Sequence, residues 1–314
     1  MKVIKKFLIV IPMAVFSLLG WASERMELVV PYGVGGASDL VARAMSQDLG
    51  NKINKNIVVM NRPGANTKIG TNYVLKNPAD GNTLILISSW IFLNPSQYKN
   101  PGFDIADFDL TSPFGYSPIV LAVKANSPIK NWNDFIAHAK SKNLNCGVHG
   151  EAPKFISQLL MKKINMPNLQ IVNYKSYGDH MMAIVSGNID CGIATKQEFM
   201  KSHSQNDLRI IAVSSPTQLS ALPNVKLFND IDPGLSISAV YSLGVLSTTP
   251  RNKKDAILTA AKEVIENRKF QQSLIAMGID IYPGRVDYNG QKWAIEQFEK
   301  VERLRADSAI DKIE

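Results

Sequence analysis

The segment Val29-Val30-Pro31-Tyr32-Gly33-Val34-Gly35-Gly36-Ala37-Ser38-Asp39-Leu40 constrains the fold more than any other. It reads as a buried strand running into a glycine-rich turn and directly into a helix. Leu40, Val41, Ala44, Met45 and Leu49 then recur at helical spacing. Ser38 is the expected cap and Gly50 the expected stop. Such a turn leaves the first N–H groups of the helix without partners, with the positive end of the helix dipole behind them. That arrangement suits an anion.

The alternation continues along the chain. Strands are expected at Met26–Val30, Ile57–Met60 and Thr83–Ile87, with a short helix over Ile69–Leu75. A loop-rich stretch follows from Asn94 to Pro118, then a strand at Ile119–Val123. The pattern restarts with helices at Trp132–Lys140, Lys154–Lys163 and His180–Ser186 and strands at Leu144–Val148, Leu169–Asn173, Ile189–Ala194 and Leu208–Val213. An extended run, Val240–Leu246, precedes a helical tail of Lys253–Glu266, Lys269–Met277 and Gln291–Arg305. Strands that are continuous apolar blocks and alternate with helices imply parallel sheets covered on both faces. Two such units separated by extended segments predict two lobes joined by two crossing strands, residues 24–118 plus 247–314 forming one and 119–246 the other. The tail is expected to return to the first lobe. Ligands of such lobes sit at the strand carboxyl ends, here the cleft between lobes.

The chain has 314 residues, 45% of them apolar, which supplies a proper core. Lys2, Lys5 and Lys6 precede an apolar run from Phe7 to Leu19, then Gly20-Trp21-Ala22. This is the order of a secretory leader cleaved near Ala22, and the run is short of the roughly 20 residues a spanning helix needs. Removing residues 1–22 takes away three lysines and no acid, so the net charge falls from +8 to +5. With no Lys/Arg-rich block, nucleic acid is not an expected partner. Cys146 and Cys191 each sit in a short strand; export permits a disulfide, and two buried thiols are the other reading.

Several chemistries find no support. A dinucleotide fingerprint wants glycine or alanine where Ser38 stands and an acid where Asn61 stands. No Gly-x-Ser-x-Gly elbow and no serine–histidine–acid spacing is visible. His138, His149, His180 and His203 show no metal-ligand spacing, so neither a metal nor a cofactor is expected.

The opening segment resembles the first motif of the periplasmic binding receptors of tripartite tricarboxylate transporters, the Bug family. Asn61-Arg62-Pro63-Gly64-Ala65, Ile69-Gly70 and Pro78-Ala79-Asp80-Gly81-Asn82-Thr83-Leu84 are similar to its second and third motifs. Weaker similarity runs through Tyr174-Lys175, Gly187-Asn188-Ile189-Asp190, Leu208–Val213 and Ala221-Leu222-Pro223-Asn224-Val225. The resemblance implies a type II-like, two-lobed α/β binding protein, periplasmic and monomeric, that closes over a small carboxylate. Di- or tricarboxylates and acidic amino acids are the ligand classes, and integral-membrane transporter subunits the partners. In the family, backbone amides and ordered waters hold the carboxylate.

The resemblance carries the first-lobe contacts to Tyr32, Gly35, Gly36, Ala37, Ser38 and Asp39. The second-lobe loop carries to Val148, His149, Gly150, Glu151 and Ala152. The chain departs from the family at Asn66 and Thr67, which replace two glycines. It departs again at Glu151-Ala152-Pro153 and at Ser176, which replaces glycine. Two readings of Asp39 stand: a ligand contact, or a first-turn acid that complements the helix dipole. Ser88, Ser89 and Trp90 follow a strand and are expected at the pocket floor; Lys154 is a candidate anion partner. A sensory receptor that presents its ligand to a membrane kinase, or an exported enzyme acting on a small organic acid, are the alternative roles.

Overall fold

The computed structural model describes residues 25–92, 98–149, 151–166, 168–215, 217–283 and 289–307. The expected leader lies outside them, as does Gly150. The strands are β1 (Arg25–Val30), β2 (Asn56–Asn61), β3 (Thr83–Ser88), β4 (Phe108–Leu110), β5 (Gly115–Lys124) and β6 (Leu144–His149), then β7 (Leu169–Tyr174), β8 (Cys191–Thr195), β9 (Leu208–Val213), β10 (Lys226–Leu227), β11 (Ser238–Leu246) and β12 (Asp280–Ile281). The helices are α1 (Ala37–Ile53), α2 (Lys68–Lys76), α3 (Trp132–Ser141), α4 (Glu151–Lys163), α5 (Tyr177–Ser186), α6 (Lys196–Ser204), α7 (Arg251–Glu266), α8 (Arg268–Ala276) and α9 (Gly290–Asp307).

Two sheets meet at β5. In the first lobe β2, β1 and β3 run parallel, and β11 pairs antiparallel with β3. In the second lobe β7, β6 and β8 run parallel, and β8 pairs antiparallel with β5. The first half of β5, Gly115–Pro118, pairs with β11; from Ile119 onward it pairs with β8 and β9 instead. Pro118 stands where the strand changes sheets, a position that tolerates a missing N–H. The sheets are therefore mixed rather than parallel, because the crossing strands β5 and β11 run against their neighbours.

Side-chain alternation explains the continuous apolar strands. Met26, Leu28 and Val30 pack with Val41, Met45 and Leu49 of α1 and Ala261 of α7, whereas Val29 packs on the other face with Val74 of α2 and Trp293 of α9. In β5 the residues Ile119, Leu121 and Val123 join one second-lobe core; Val120 and Ala122 join the other. Strands sandwiched by helices bury both faces, so no polar alternation survives in the sequence. The tail reaches further than the first lobe. α9 places Trp293 and Ala294 in a first-lobe core and Val301 and Leu304 in a second-lobe core.

Three local expectations are corrected. α1 begins at Ala37, so its N-cap is Gly36 and Ser38 lies inside the first turn. Gly50 does not stop α1; the helix runs to Ile53 and ends on Asn54 in the left-handed region. Gly50 is required for another reason, since a Cβ there would lie 2.7 Å from the Lys55 carbonyl. Third, α6 follows β8 without a break, in a stretch that reads as a connection. Cys146 and Cys191 are register partners on β6 and β8, both buried and both free thiols.

Candidate functional site

Strand direction decides where the site lies. The parallel strands β1, β2 and β3 end at one edge of the first lobe, and β6, β7 and β8 end at one edge of the second. Both edges line a shared cleft of about 1400 Å³. Its first-lobe wall includes Tyr32, Gly35, Gly36, Ala37, Ser38 and Ser88. The second-lobe wall includes His149, Lys175, Ser176, Gln197, Glu198 and Lys201.

The first turn is built to present amides. Gly35 takes φ +80°, where a side chain would strain the backbone, and no atom lies near the position a Cβ would occupy. No side chain caps α1 among the described residues, so the amides of its first turn face the cleft with the helix dipole behind them. A network behind the turn holds this shape. The Gly35 N–H donates to Asp39 Oδ2 at 2.9 Å, and Arg43 Nε donates to the same oxygen at 3.0 Å. Arg43 Nη2 lies 2.9 Å from the other carboxylate oxygen. Asn61 Nδ2 donates to the Tyr32 carbonyl at 3.2 Å.

Burial pushes the Asp39 carboxyl upward. The bonds from Arg43 and Gly35 outweigh it and hold its pKa below the usual carboxylate range. Asp39 is 1% exposed and lies behind the turn, outside the cleft lining. The structure therefore gives it the part of a first-turn acid that fastens Gly35.

The floor is a cluster of hydroxyls. Tyr32 ends the strand–turn junction, Ser88 ends β3, and Tyr241 on β11 is the register partner of Ser88. Ser38 lies beside the Tyr241 hydroxyl. Burial raises both tyrosines well above the normal phenol range, so they remain neutral at any physiological pH. Ser89 is turned elsewhere: its hydroxyl donates to the Ser238 carbonyl at 2.8 Å and accepts from the Val240 N–H at 3.0 Å. It ties β3 to the crossing strand and is not in the cleft lining. The side chains of Trp90, Glu151 and Ala152 lie outside the described residues.

In the second lobe Val148 is fully buried in the core, whereas His149 reaches the cleft. His149 Nδ1 lies 3.2 Å from the Tyr174 carbonyl. The turn after β7 holds Lys175 and the departure at Ser176, and the turn after β8, which no sequence motif marks, joins it in the wall. Ser176 caps α5, accepting from the Asp179 N–H at 3.1 Å, and the Glu198 carboxylate accepts from the Thr195 N–H at 2.9 Å and hydroxyl at 2.8 Å. Tyr177 donates to the Glu198 carbonyl at 2.6 Å, and burial pushes its pKa up to about 12. Polar side chains capping a strand–helix turn are the sequence signal that could have found these loops. At the first-lobe lip Ala65, Asn66 and Thr67 hold φ of 44°, 50° and 75°. The family's glycines at the latter two positions adopt such angles freely; β-branched Thr67 does so under strain.

Two α/β lobes on a pair of crossing strands, with strand carboxyl ends facing one cleft, define the periplasmic-binding-protein class of fold. The family model of the tripartite tricarboxylate transporter family receptors matches residues 41–310, and the chain belongs to that family. A UPF0065 protein of Bordetella bronchiseptica is 26% identical over 263 residues, covering 82% of this chain and 78% of the relative. The solved structure of the periplasmic binding protein BugD superposes with a TM-score of 0.81 at 20% identity, covering 92% of this chain and 99% of that one. An R. palustris protein solved with adipate superposes with a TM-score of 0.82 at 21% identity, covering 93% of this chain and all (100%) of the other. Among the described residues no helix is long and apolar enough to cross a membrane.

Proposed function

We propose that this protein is an extracytoplasmic receptor that captures a small carboxylate by closure of its two lobes and delivers it to a tripartite tricarboxylate-type membrane transporter. The observation that carries the reading is the uncapped first turn of α1, whose amides line the cleft between lobes. Neutral amides at a helix N-terminus hold a carboxylate without the stronger grip of an arginine fork, which suits a carrier that must release its cargo. The adipate in a protein of the same fold supports the ligand class. Contacts from both walls favour the closed state, with β5 and β11 as the connecting strands. The leader expected at residues 1–22 is consistent with delivery outside the cytoplasmic membrane. Calorimetry against mono-, di- and tricarboxylates and acidic amino acids tests the reading. At least one carboxylate is expected to bind; a folded sample that binds none overturns it.

A further inference from the structure

We propose that the cleft floor is a hydroxyl-reading subsite, in which Tyr32 and Ser88 select a carboxylate that also carries a hydroxyl beside its acid group. This rests on the carboxylate reading above and specifies it. Ser88 is 1% exposed, and its Oγ and the buried Tyr32 phenol oxygen find no well-formed hydrogen bond to any group among the described residues other than a loose approach to each other. The two groups lie beside each other, both in the cleft lining. Even a bond between the two leaves one hydroxyl proton without an acceptor, and a buried polar group left unpaired is costly, so the pair marks a place where an outside group completes the bonding.

The chemistry of that group follows from its surroundings. A phenol and a serine hydroxyl each both donate and accept. A neutral hydroxyl, which also does both, uses all of these capacities, whereas a carboxylate oxygen only accepts and would bring a second buried charge to a floor with no cation among the described residues. A carboxylate belongs at the amides of α1 in the lining of the same cleft, where the helix dipole favours negative charge. An ammonium offers donors only and would need a carboxylate beside it. Asp39 is paired with Arg43 behind the turn, and Glu198, the one carboxylate among the described lining residues, is held by Thr195. The floor therefore reads a neutral hydroxyl next to an acid, the pattern of a hydroxycarboxylate. A site built to bond a ligand hydroxyl discriminates strongly against the analogue without it, because its own buried groups are then left unpaired.

Calorimetry with two matched pairs tests this: malate against succinate, and citrate against tricarballylate, each pair differing by one hydroxyl. In at least one pair the wild-type protein is expected to bind the hydroxy acid about tenfold or more tightly. Ser88→Ala and Tyr32→Phe, checked for folding by their melting temperatures, should each bring that ratio toward one. Equal affinities within every pair that binds, binding of unhydroxylated acids alone, or a ratio unchanged in both variants overturns the subsite and leaves the receptor reading standing. A folded protein that binds no carboxylate at all overturns both.

Discussion

Replacing Asp39 with alanine removes the strut behind the amide turn. The carboxylate accepts one bond from the Gly35 N–H at 2.9 Å and is gripped at two points by Arg43. A hydrogen bond to a charged group contributes about 1.5–3 kcal/mol. The Arg43 side chain is 51% exposed, so its share is closer to that of a surface pair, about 0.5 kcal/mol. The variant should lose about 2–3 kcal/mol of stability, a drop in melting temperature on the order of 3–5 °C for a chain of this length. Affinity should fall further than a remote substitution of equal cost would allow. Gly35, released at φ +80°, no longer holds the next three amides in register, and a loss of about tenfold corresponds to only 1.4 kcal/mol. Thermal unfolding with calorimetry on the same samples reads both. Asp39→Asn, which keeps an acceptor for the Gly35 N–H, should fall between. An Asp39→Ala variant that binds as tightly as the wild type would refute the idea that this carboxylate shapes the site.

Gly36→Val should fold, because its Cβ would lie 3.6 Å from the nearest atom, the Gly33 carbonyl oxygen; calorimetry should show at least a tenfold loss of affinity as the side chain crowds the amides. Lys196 of α6, 4% exposed, pairs with Asp280 of β12 at 2.6 Å beside the crossing strand β5. Lys196→Met strands that carboxylate at a cost of about 2 kcal/mol, and adding Asp280→Asn should recover most of it in denaturant titrations. His180 lies buried against Tyr174 and Phe199; burial, then the neighbouring His149, lowers its pKa to about 4, against a weaker opposing bond at Gly147. Its folded pKa is below its unfolded value of about 6.5, so the unfolded chain binds the extra proton and stability falls as pH drops from 6.5 toward 4, by about 3 kcal/mol in total. The stability-versus-pH curve of His180→Leu should be flatter across that window, and an unchanged slope refutes the assignment.

The strands were legible because each is an apolar block feeding two cores at once, as Leu84–Ile87 does. The first turn was legible because its backbone needs glycine at position 35. What escaped was set by tertiary pairing. Gly115-Tyr116-Ser117-Pro118 reads as a turn by composition, yet β11 holds it extended as the first half of β5. α6 carries mainly polar residues between Lys196 and Ser204 and buries Phe199, so no helical stripe announces it. Tyr241 sits inside the apolar run Val240–Leu246 and reads as core; only its register opposite Ser88 brings it to the cleft floor. In the same way α9 looks like a first-lobe helix until Val301 and Leu304 are seen in the second-lobe core, with Lys300 donating to the Ser236 carbonyl at 2.6 Å.

A receptor of the proposed kind must grip its carboxylate with the first turn of α1, between the lobes. A crystal structure of the protein with the tightest carboxylate found by calorimetry tests it most directly. A carboxylate group is expected hydrogen-bonded to the amides of residues 36–38, with the second-lobe wall closed upon it and Tyr32 and Ser88 against its neighbouring atoms. A carboxylate bound away from that turn, with those amides turned to solvent, would contradict it.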